Sequence, residues 1–527
     1  MSGFRAIVLA AGLGKRMKSS MPKVLHKVCG RPIIFYVLDA VSTAGASNVI
    51  VVVGHRGELV EEAVADWESR FNGQENSQGN GRKDGQENAR EGSLEGRLEG
   101  SLEGRRGESL GAFSEIGPRV RCVYQREQLG TAHAVMQAAG EFRDYDGPVV
   151  VVAGDMPFLP AGYIRRLVDV LESGGANSIP VSAVVLTAIM EEPQGYGRIV
   201  RGEDGRVLRV VEEKDATPEE KAIHEINSSA YCFNAKDIFC ILSEVSRDNA
   251  QGEYYLTDVI RIMTGHGMRV EAEVAPDPVT VMGINTRMEL AKAEEIMRDR
   301  VRRSLMEEGV TMIDPRSTFI DAGVKIGRDT VVYPFTFIEG KTVIGEGCTI
   351  GPEARLVNVT VEDGARIERA VVYSSIIGRN ANVGPFAYIR PGTVLKEKSK
   401  VGTFVEVKKS TIGPGSKVPH QSYIGDTTIG TGVNVGAGTI TCNYDGREKH
   451  PTIIDDEVFI GSNTNLVAPV RVGKGAYVAA GSTITQDVPA GALGIARGHQ
   501  RNIEGWIERR RQKNSDVSSG DHADGGT

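Results

Sequence analysis

A short segment near the amino terminus combines the residue types that bind phosphate. An apolar run of a length that suits a buried strand ends at Ala10, and two glycines, Gly12 and Gly14, follow it. Glycine permits backbone angles that a side chain would forbid. Three cations come next, at Lys15, Arg16 and Lys23. This combination predicts a phosphate-binding loop, with an ordinary strand-to-helix turn and solvated cations as the alternative.

The segment matches neither of the two common phosphate-binding motifs. A P-loop requires glycine where Leu9 stands, and serine or threonine where Arg16 stands. The dinucleotide-binding fingerprint requires glycine at the position of Met17. If the segment binds phosphate, it therefore does so with a different loop.

The spacing of apolar residues predicts the elements that must position this loop. Residues 49–53 and 149–152 are continuous apolar runs, which is typical of parallel strands buried on both faces. Helical spacing lies between such runs, for example at residues 33–44. The alternation predicts an open α/β sheet, whose ligands bind beyond the carboxyl ends of the strands. The loop after Leu9 and the carboxylate of Asp155 both fall at such ends.

A period of six residues dominates the second half of the chain. The apolar positions form three runs: Ile326, Val332, Ile338, Ile344, Ile350 and Leu356; Val371, Ile377, Val383, Ile389, Leu395, Val401 and Val407; Ile460, Leu466, Val472, Val478 and Ile484. Period six fits neither a helix nor an isolated strand. It predicts a parallel β-helix of hexapeptide repeats, in which short strands stack and glycines turn the corners.

These patterns divide the chain into two domains and three further segments. Residues 1–284 form the α/β domain, 285–309 a helical linker, 310–500 the β-helix, and 501–527 a largely disordered tail. Residues 72–117 interrupt the first domain with a quasi-repeat of Gly, Ser, Leu and Glu that nearly lacks aromatic and β-branched residues. Such a composition cannot bury enough surface to offset its ordering entropy. We expect a disordered insert in a surface loop; a partner-binding segment is the alternative.

Composition excludes several classes of protein. The 527 residues carry a net charge of -7, which argues against a nucleic-acid-binding protein. The six cysteines are scattered without a C-x-x-C pair, which fits a reducing compartment and no zinc site. No run approaches the length of a membrane helix, and the apolar run before Lys15 lacks a signal-peptide cleavage site. We expect a cytoplasmic protein that is not inserted in a membrane.

The motifs of the first half occur in a characteristic order. They are Leu9-Ala-Ala-Gly-Leu-Gly-Lys-Arg-Met17 with Pro22-Lys23, Gln125-Arg-Glu-Gln-Leu-Gly-Thr-Ala-His133, Ala153-Gly-Asp-Met-Pro157, Gly195-Tyr-Gly-Arg198, Val211-Glu-Glu-Lys-Asp215, Glu225-Ile-Asn227, Asn249-Ala-Gln-Gly-Glu-Tyr-Tyr-Leu-Thr-Asp258 and Gly283-Ile-Asn285. The first resembles the signature of sugar-phosphate nucleotidyltransferases. The whole set resembles the bifunctional family of N-acetylglucosamine-1-phosphate uridylyltransferases/glucosamine-1-phosphate N-acetyltransferases.

This resemblance implies a Rossmann-like nucleotidyltransferase domain that binds UTP and Mg²⁺. Asp155 and Asn285 would hold the metal, a hard cation that prefers oxygen ligands. Arg16 and Lys23 would neutralise phosphates, because catalysis between two polyanions depends on positioning and charge neutralisation. The uracil contacts would be Gln125, Gly130 and Thr131, the sugar contacts Gly197, Glu212 and Asn227, and the remaining nucleotide contacts Leu9, Ala10, Ala11, Gly12 and Asn285.

The resemblance also implies a left-handed β-helix that trimerises and uses acetyl-CoA. His420 would be the general base that takes a proton from the glucosamine ammonium, since imidazoles titrate near neutral pH. Arg390 and Lys408 each follow an apolar repeat residue, so both should point outward. The predicted glucosamine-phosphate contacts are Arg390, Lys408, Tyr423, Asn434 and Tyr444, and the predicted acetyl-CoA contacts are Ala437, Asn443, Ser462, Ala480 and Arg497. Pro419, beside His420, departs from the family pattern.

Two other functions are weighed against this prediction. In one, the first half is the only enzyme and the β-helix oligomerises or binds an effector. The presence of Arg390, Lys408, His420 and Tyr423 together argues against it. In the other, the protein is a scaffold with a degenerate first domain. The presence of Arg16, Lys23, Asp155 and Asn285 together argues against that.

Overall fold

The fold comes from a computed structural model that describes residues 3–79, 118–173 and 180–520, without the side chains of 72–79 and 516–520. These residues divide into two compact units, of which the first ends at Arg300 and the second begins at Val301. The division falls inside the helix Arg287–Glu307, in the segment predicted as a helical linker.

The first unit is built around one twisted sheet. Its strands are β1 (Phe4–Ala10), β2 (Lys27–Val28), β3 (Arg31–Pro32), β4 (Ala46–Val53), β5 (Arg119–Tyr124), β6 (Pro148–Ala153), β7 (Val181–Ile189), β8 (Arg198–Arg201), β9 (Val207–Val211), β10 (Glu225–Asn234) and β11 (Arg269–Ala275). The order across the sheet is β11-β7-β10-β6-β1-β4-β5; β8 and β9 extend it beside β10, and β2 and β3 form a separate hairpin. Strands β6, β1, β4 and β5 run parallel, whereas β10 is antiparallel to both of its neighbours in this order.

Helices cover this sheet on both faces. They are α1 (Ile33–Thr43), α2 (Gly57–Gly79), α3 (Thr131–Gln137), α4 (Ala161–Glu172), α5 (Pro218–Lys221), α6 (Ala235–Ile241), α7 (Thr257–Gly265) and α8 (Arg287–Glu307). Two apolar cores result, one on each side of the strands. The predicted runs at 49–53 and 149–152 are fully buried in β4 and β6 because each strand has helices above and below it.

Glycines let the loops at the carboxyl ends of three parallel strands approach one another. The Gly154 amide, after β6, donates to the Leu9 carbonyl of β1 over 2.9 Å. A Cβ at Gly54, after β4, would lie 2.5 Å from the Ala11 carbonyl oxygen. Only glycine fits this approach, so the segment after β1 lies between its neighbours at this edge of the sheet.

The second unit is a left-handed parallel β-helix whose short strands stack into three flat faces. The first face contains Thr311–Met312, Val331–Val332, Thr349–Ile350, Arg366–Ile367, Asn382–Val383, Lys400–Thr403, Lys417–His420, Asn434–Val435, Phe459–Ile460, Tyr477–Val478 and Leu493–Gly494. The second face contains Thr318–Ile320, Thr336–Glu339, Arg355–Val357, Ala370–Tyr373, Ala387–Ile389, Glu406–Lys408, Tyr423–Gly425, Ile440–Cys442, Asn465–Val467 and Thr483–Ile484. The third face contains Lys325–Ile326, Val343–Ile344, Thr360–Val361, Ile376–Ile377, Val394–Leu395, Thr411–Ile412, Thr427–Ile429, Thr452–Ile454 and Val470–Val472.

The period of six predicts the interior of this prism with one exception. The apolar residues of the three runs point inward and are buried, as at Ile389 and Val407. The second run includes Val371, but the buried residue of that strand is Val372, which is 0% exposed. The preceding inward residue on the chain is Ile367 and the next is Ile377, so the interval there is five, and a strict period of six gives the wrong register.

Helices extend into the first residues of the predicted insert and through most of the described part of the predicted tail. Helix α2 continues to Gly79, and residues 80–117 of the predicted insert lie outside the described residues. A last helix, α9, spans Trp506–Gly520, within the segment 501–527 that the sequence analysis predicts to be largely disordered. Residues 521–527 lie outside the described residues.

Candidate active sites

The predicted metal ligands of the first unit converge on one lysine. The Lys23 ammonium donates a hydrogen bond to Oδ2 of Asp155, and a second, 2.9 Å long, to Oδ1 of Asn285. The side chains of Lys23 and Asp155 are only 17% and 12% exposed. Two oxygen atoms from distant parts of the chain therefore point at a single position that a cation occupies.

Hydrogen bonds from residues at the start of α8 hold this arrangement in place. Arg287, in the first turn of α8, donates from Nε to the Met17 carbonyl over 3.2 Å, and its Nη1 lies 3.2 Å from Nδ1 of His26. Burial, helped by the Arg287 charge, lowers the pKa of His26, so the imidazole is neutral and can accept from Arg287. The Glu289 carboxylate accepts a hydrogen bond from the backbone amide of Asn285 over 2.6 Å. The start of α8 is thereby tied to the loop after β1.

The loop after β1 packs against the residue that carries the central ammonium, Lys23. Arg16 lies in a 3-10 turn, Lys15–Met17, with its side chain exposed. Gly14, at φ 58°, lets this turn pack against Lys23, since a Cβ there would lie 3.1 Å from the Lys23 Cβ. The predicted contacts Leu9, Ala10, Ala11 and Gly12 form the end of β1 and the residues that follow it.

The predicted uracil contacts form a second cluster at the start of α3. Gln125 is 4% exposed, and its Nε2 donates to the Gly130 carbonyl over 3.0 Å. The Thr131 hydroxyl accepts the Leu256 amide over 2.9 Å. Gly130 has φ 116°, and a Cβ there would lie 2.4 Å from the Tyr254 carbonyl oxygen. The three residues are therefore held together by packing against the segment that precedes α7.

The predicted sugar contacts form a third cluster. The Asn227 amide donates to the Gly197 carbonyl over 2.9 Å, and the Asn227 side chain donates to the Tyr231 hydroxyl over 2.7 Å. Burial raises the pKa of Glu212 above its usual value, an effect that a 3.0 Å hydrogen bond from Thr257 opposes. The proximity of Glu212 also contributes to the raised pKa of Tyr231. Asn227 and Glu212 thus lie beside one buried tyrosine, and Gly197 lies against Asn227.

The predicted sugar-phosphate cations of the second unit stack on its second face. In this face, Tyr388 pairs with Glu406, and Glu406 pairs with Tyr423 on the next coil. Arg390 and Lys408 each directly follow the buried residue of their strand, so they occupy equivalent positions on successive coils. Nη1 of Arg390 lies 2.9 Å from Oε1 of Glu406. Both cations point outward, as their repeat position predicted.

A half-buried carboxylate and a buried amide lie beside Lys408. Oδ2 of Asp426 accepts from Nδ2 of Asn443 over 2.6 Å and lies 3.8 Å from the Lys408 ammonium. A Cβ at Gly425 would lie 2.6 Å from both the Asn443 amide nitrogen and the Tyr423 hydroxyl. Asn443, predicted as an acetyl-CoA contact, therefore lies against the sugar-phosphate cluster.

Lys449 is a member of this cluster that sequence reasoning missed. The pKa of Lys449 is lowered because the neighbouring Lys408 side chain disfavours a second positive charge there, while Asp426 and Tyr423 act in the opposite direction. The sequence did contain a signal. The buried third-face residues Ile412, Ile429, Ile454 and Val472 are 17 or 18 residues apart except for one interval of 25, which marks a loop inserted between two coils.

Apart from Asn443, the predicted acetyl-CoA contacts form a row along one edge of the prism, and His420 lies on the first coil of this row. Backbone hydrogen bonds join successive coils at this edge: Gly438 to Gln421 over 2.9 Å, Asn463 to Ala437 over 2.7 Å, Gly481 to Ser462 over 2.8 Å. Arg497 then donates to the Ala480 carbonyl over 2.7 Å. This places His420, Ala437, Ser462 and Ala480 one above the other. The His420 side chain is exposed, and its strand pairs Thr403 with His420.

Two predicted sugar-phosphate contacts lie on other elements than Arg390 and Lys408. Asn434 belongs to the first face, in register with Lys417. Tyr444 is 59% exposed and pairs through its backbone with Lys449 in the inserted loop. The geometry brings neither side chain into a described contact with Arg390 or Lys408.

Comparison with known sequences divides the chain in the same way as its structure. The MobA-like NTP transferase domain family matches residues 6–83, and the Nucleotidyl transferase family matches residues 100–277. The GMPPB C-terminal domain family matches residues 315–402, and the Bacterial transferase hexapeptide (six repeats) family matches residues 451–486.

Curated relatives match nearly the whole chain. The Bifunctional protein GlmU of Caldanaerobacter subterraneus subsp. tengcongensis is 46% identical over 508 residues, which cover 96% of this chain and 98% of the relative. That of Heliobacterium modesticaldum is 46% identical over 505 residues, with 96% and 98% covered. The chain belongs to the bifunctional GlmU family. The sequence-based prediction of a uridylyltransferase and an N-acetyltransferase on one chain is thus confirmed, as is the predicted fold of each half.

Two searches of the described residues bear on binding. None of their helices is long and apolar enough to cross a membrane. Within 3–79, 118–173 and 180–520, no group of three or more His, Cys, Asp or Glu side chains is arranged to hold a metal ion. Asp155 and Asn285, a carboxylate and an amide, remain the oxygen pair that the prediction named.

Proposed function

We propose that the second unit acetylates glucosamine 1-phosphate from acetyl-CoA and that the first unit then couples the product to UTP, releasing pyrophosphate. The observation that carries this proposal is the separation of two sites with different chemistry on one chain. The first unit has cations beside an oxygen pair suited to a metal. The second has a cation cluster beside an exposed imidazole. The GlmU relatives support the same pairing of activities.

In the acetyl transfer, each group of the second unit has a separate task. Arg390, Lys408 and Lys449 bind the phosphate of the sugar. His420 takes a proton from the ammonium, so that the amine nitrogen can attack the thioester carbonyl. The N–C bond forms, the C–S bond breaks, and coenzyme A leaves as the thiol, its proton balanced by the second one that the nitrogen gives up as it becomes an amide. His420 suits this role because it lies at the edge where the acetyl-CoA row ends and the second face begins.

In the uridylyl transfer, the first unit positions two anions against each other. The phosphate oxygen of N-acetylglucosamine 1-phosphate attacks the α-phosphorus of UTP, and pyrophosphate leaves. Arg16 and Lys23 neutralise the phosphates, while Gln125 and the Glu212 cluster orient the base and the sugar.

Asp155 and Asn285 fit a divalent ion, because their oxygens already converge on one cation, the Lys23 ammonium. A bound Mg²⁺ would supply charge stabilisation to the phosphates. With only two protein ligands, the remaining coordination would fall to water and substrate oxygens. Lys23, released from the two oxygens, is then free to bind phosphate.

An assay of the complete reaction tests the function directly. Purified protein is mixed with glucosamine 1-phosphate, acetyl-CoA, UTP and Mg²⁺, and the products are identified by mass. The expected products are free coenzyme A, pyrophosphate and UDP-N-acetylglucosamine. Omitting acetyl-CoA should abolish the last product unless N-acetylglucosamine 1-phosphate is supplied. Failure to form the nucleotide sugar from either mixture refutes the proposal.

The assembly that completes the second site is a homotrimer in the cytoplasm. Phe386 and Phe404 stack on adjacent coils with ring centroids 5.5 Å apart, yet they are 51% and 66% exposed. They belong to the prism edge that continues to Gln421, next to His420. A neighbouring prism that covered these rings would also close the acetyl-transfer site.

Sedimentation tests this assembly. The wild-type protein should sediment as a trimer, and Phe404→Glu should shift it toward the monomer with a matched loss of acetyl transfer. A fully acetylating monomer would refute the shared site.

A further inference from the structure

A histidine of the nucleotide half makes a contact that the uridylyl-transfer scheme leaves unused. His133 lies on α3, and its Nδ1 is 3.0 Å from Nε2 of Gln125. The same Gln125 nitrogen donates to the Gly130 carbonyl over 3.0 Å. Both hydrogens of this amide are therefore taken by protein acceptors, which leaves its oxygen, Oε1, to face a ligand.

The Gly130 carbonyl fixes which end of the Gln125 amide faces inward. That carbonyl also accepts the Ala134 amide of α3 over 3.1 Å. Its position is set because Gly130 packs against Tyr254. Turning the amide over would place Oε1 against this carbonyl oxygen and would leave the amide nitrogen without either acceptor. Two oxygens in contact repel each other, and an unmade hydrogen bond in a buried site costs more than a formed one gains.

The histidine ring is itself held in place. Gln137, one turn further along α3, lies on its other side, with Nε2 of the amide 3.2 Å from Nε2 of the ring. The ring lies over Tyr254 with centroids 6.2 Å apart. Because the Gly130 carbonyl fixes the Gln125 amide nitrogen toward Nδ1, Nδ1 is the acceptor of the ring and Nε2 carries its hydrogen, so the Gln137 amide must turn its oxygen toward Nε2. His133 thus presents a fixed acceptor to the Gln125 amide.

We propose that His133 is a positioning residue that sets base specificity by locking the Gln125 amide with its oxygen toward the nucleotide. This inference rests on the proposed function, in which the uracil of UTP lies against Gln125. Uracil presents an N3–H donor to that oxygen. In cytosine, N3 carries no hydrogen, so its lone pair would face the lone pairs of Oε1 and repel them. The fixed Gln125 amide therefore favours uracil, which has an N–H beside a carbonyl, over cytosine, which has an amino group in place of that carbonyl.

The test compares UTP with CTP in variants of the full-length protein. Pyrophosphate release from N-acetylglucosamine 1-phosphate is measured with each nucleotide, and the ratio of the two kcat/KM values is taken. His133→Leu removes the acceptor, so the preference for UTP should fall about 10-fold or more, as expected for losing one specific base contact. His133→Asn can return an acceptor to the position of Nδ1 and should keep the ratio within about 3-fold of wild type.

Matched controls separate this role from general damage. His266→Leu changes an exposed histidine at the end of α7 and should leave the ratio unchanged. Gln137→Leu loosens only the far side of the ring and should lower the ratio less than His133→Leu does. Acetyl transfer and the thermal midpoint report whether each variant folds, and His133→Ala replaces the leucine variant if that protein does not.

Each outcome decides between the proposal and its failure. A folded His133→Leu or His133→Ala protein with the wild-type UTP preference overturns it. So does equal loss in the leucine and asparagine variants, because that would make the ring only a packing element. If the wild-type protein releases no pyrophosphate from UTP at all, the proposed function fails and the inference fails with it.

Discussion

The two sites of this chain are assembled in opposite ways. In the first unit, Lys23 meets Asp155 across 132 positions and Asn285 across 262. In the second unit, Arg390 meets Glu406 across 16 positions, and Asp426 meets Asn443 across 17. The first site depends on a sheet that gathers distant loops at one edge. The second depends on a repeat that stacks equivalent positions of successive coils.

This difference has consequences for what a substitution does. Residues of the first site also hold loops together, as Arg287 and Glu289 do, so their loss acts on both structure and chemistry. Residues of the second site project from a prism whose core is filled by other side chains, such as Ile389 and Val407. Their loss should remove one function and leave the scaffold unchanged.

The largest effect is expected at His420, where this separation should be most complete. His420→Ala should cut acetyl transfer by about 10²–10⁴, the usual contribution of a positioned general base, with little change in KM for acetyl-CoA. Uridylyl transfer from supplied N-acetylglucosamine 1-phosphate should persist, because its site lies in the other unit. Both rates are measured on the same preparation. Equal loss of both would indicate misfolding, and loss of neither would place the base elsewhere.

The converse test is made at Asp155. Asp155→Ala removes a charged oxygen from the pair and should reduce uridylyl transfer by about 10²–10³, comparable to deleting one preorganised electrostatic group. Acetyl transfer should remain near the wild-type rate. Pyrophosphate release is followed over a range of Mg²⁺ concentrations. Near-normal release at saturating Mg²⁺ would show that Asp155 does not hold the metal.

A smaller effect is expected at Lys449, which sharpens the account of the phosphate contacts. Lys449→Met should raise KM for glucosamine 1-phosphate about 10-fold, the scale of one hydrogen bond to a charged group, with kcat and KM for acetyl-CoA little changed. Lys474→Met, an exposed lysine of a later coil, is the matched control. An equal rise in both KM values would mean that the inserted loop, rather than the cation, had been disturbed.

The contrast between the sites also explains how much of them could be predicted. A repeat converts sequence spacing directly into neighbours, so the outward stacking of Arg390 and Lys408 followed from the period alone. The prediction failed where the period changed, at Val371, and where a loop interrupted it, at Lys449. In the first unit, apolar runs predicted the sheet and the edge that carries the site. The contacts of Lys23, His26 and His133 depend on how loops meet, which no local pattern encodes.

The smallest effect is expected at Glu212, a proposed sugar contact whose charge is expected to lower the stability of the first unit. The folded-state pKa of this carboxyl is raised, chiefly by burial. Such an acid adds stability when protonated, below its unfolded pKa, and that stability is lost as pH rises through the folded pKa. Above the folded-state pKa of Glu212, the first unit is therefore less stable than it would be without this charge.

Glu212→Gln removes this charge and can still accept from Thr257. We expect its thermal midpoint to exceed that of wild type by a few degrees at pH 7.5 and to match it at pH 4, where both side chains are uncharged. Uridylyl transfer should fall, since Glu212 is a proposed sugar contact. Glu203→Gln, an exposed site on the same unit, should change neither quantity. A midpoint below that of wild type at pH 7.5 would show that the carboxylate stabilises this fold, and that the sugar cluster carries no such conflict.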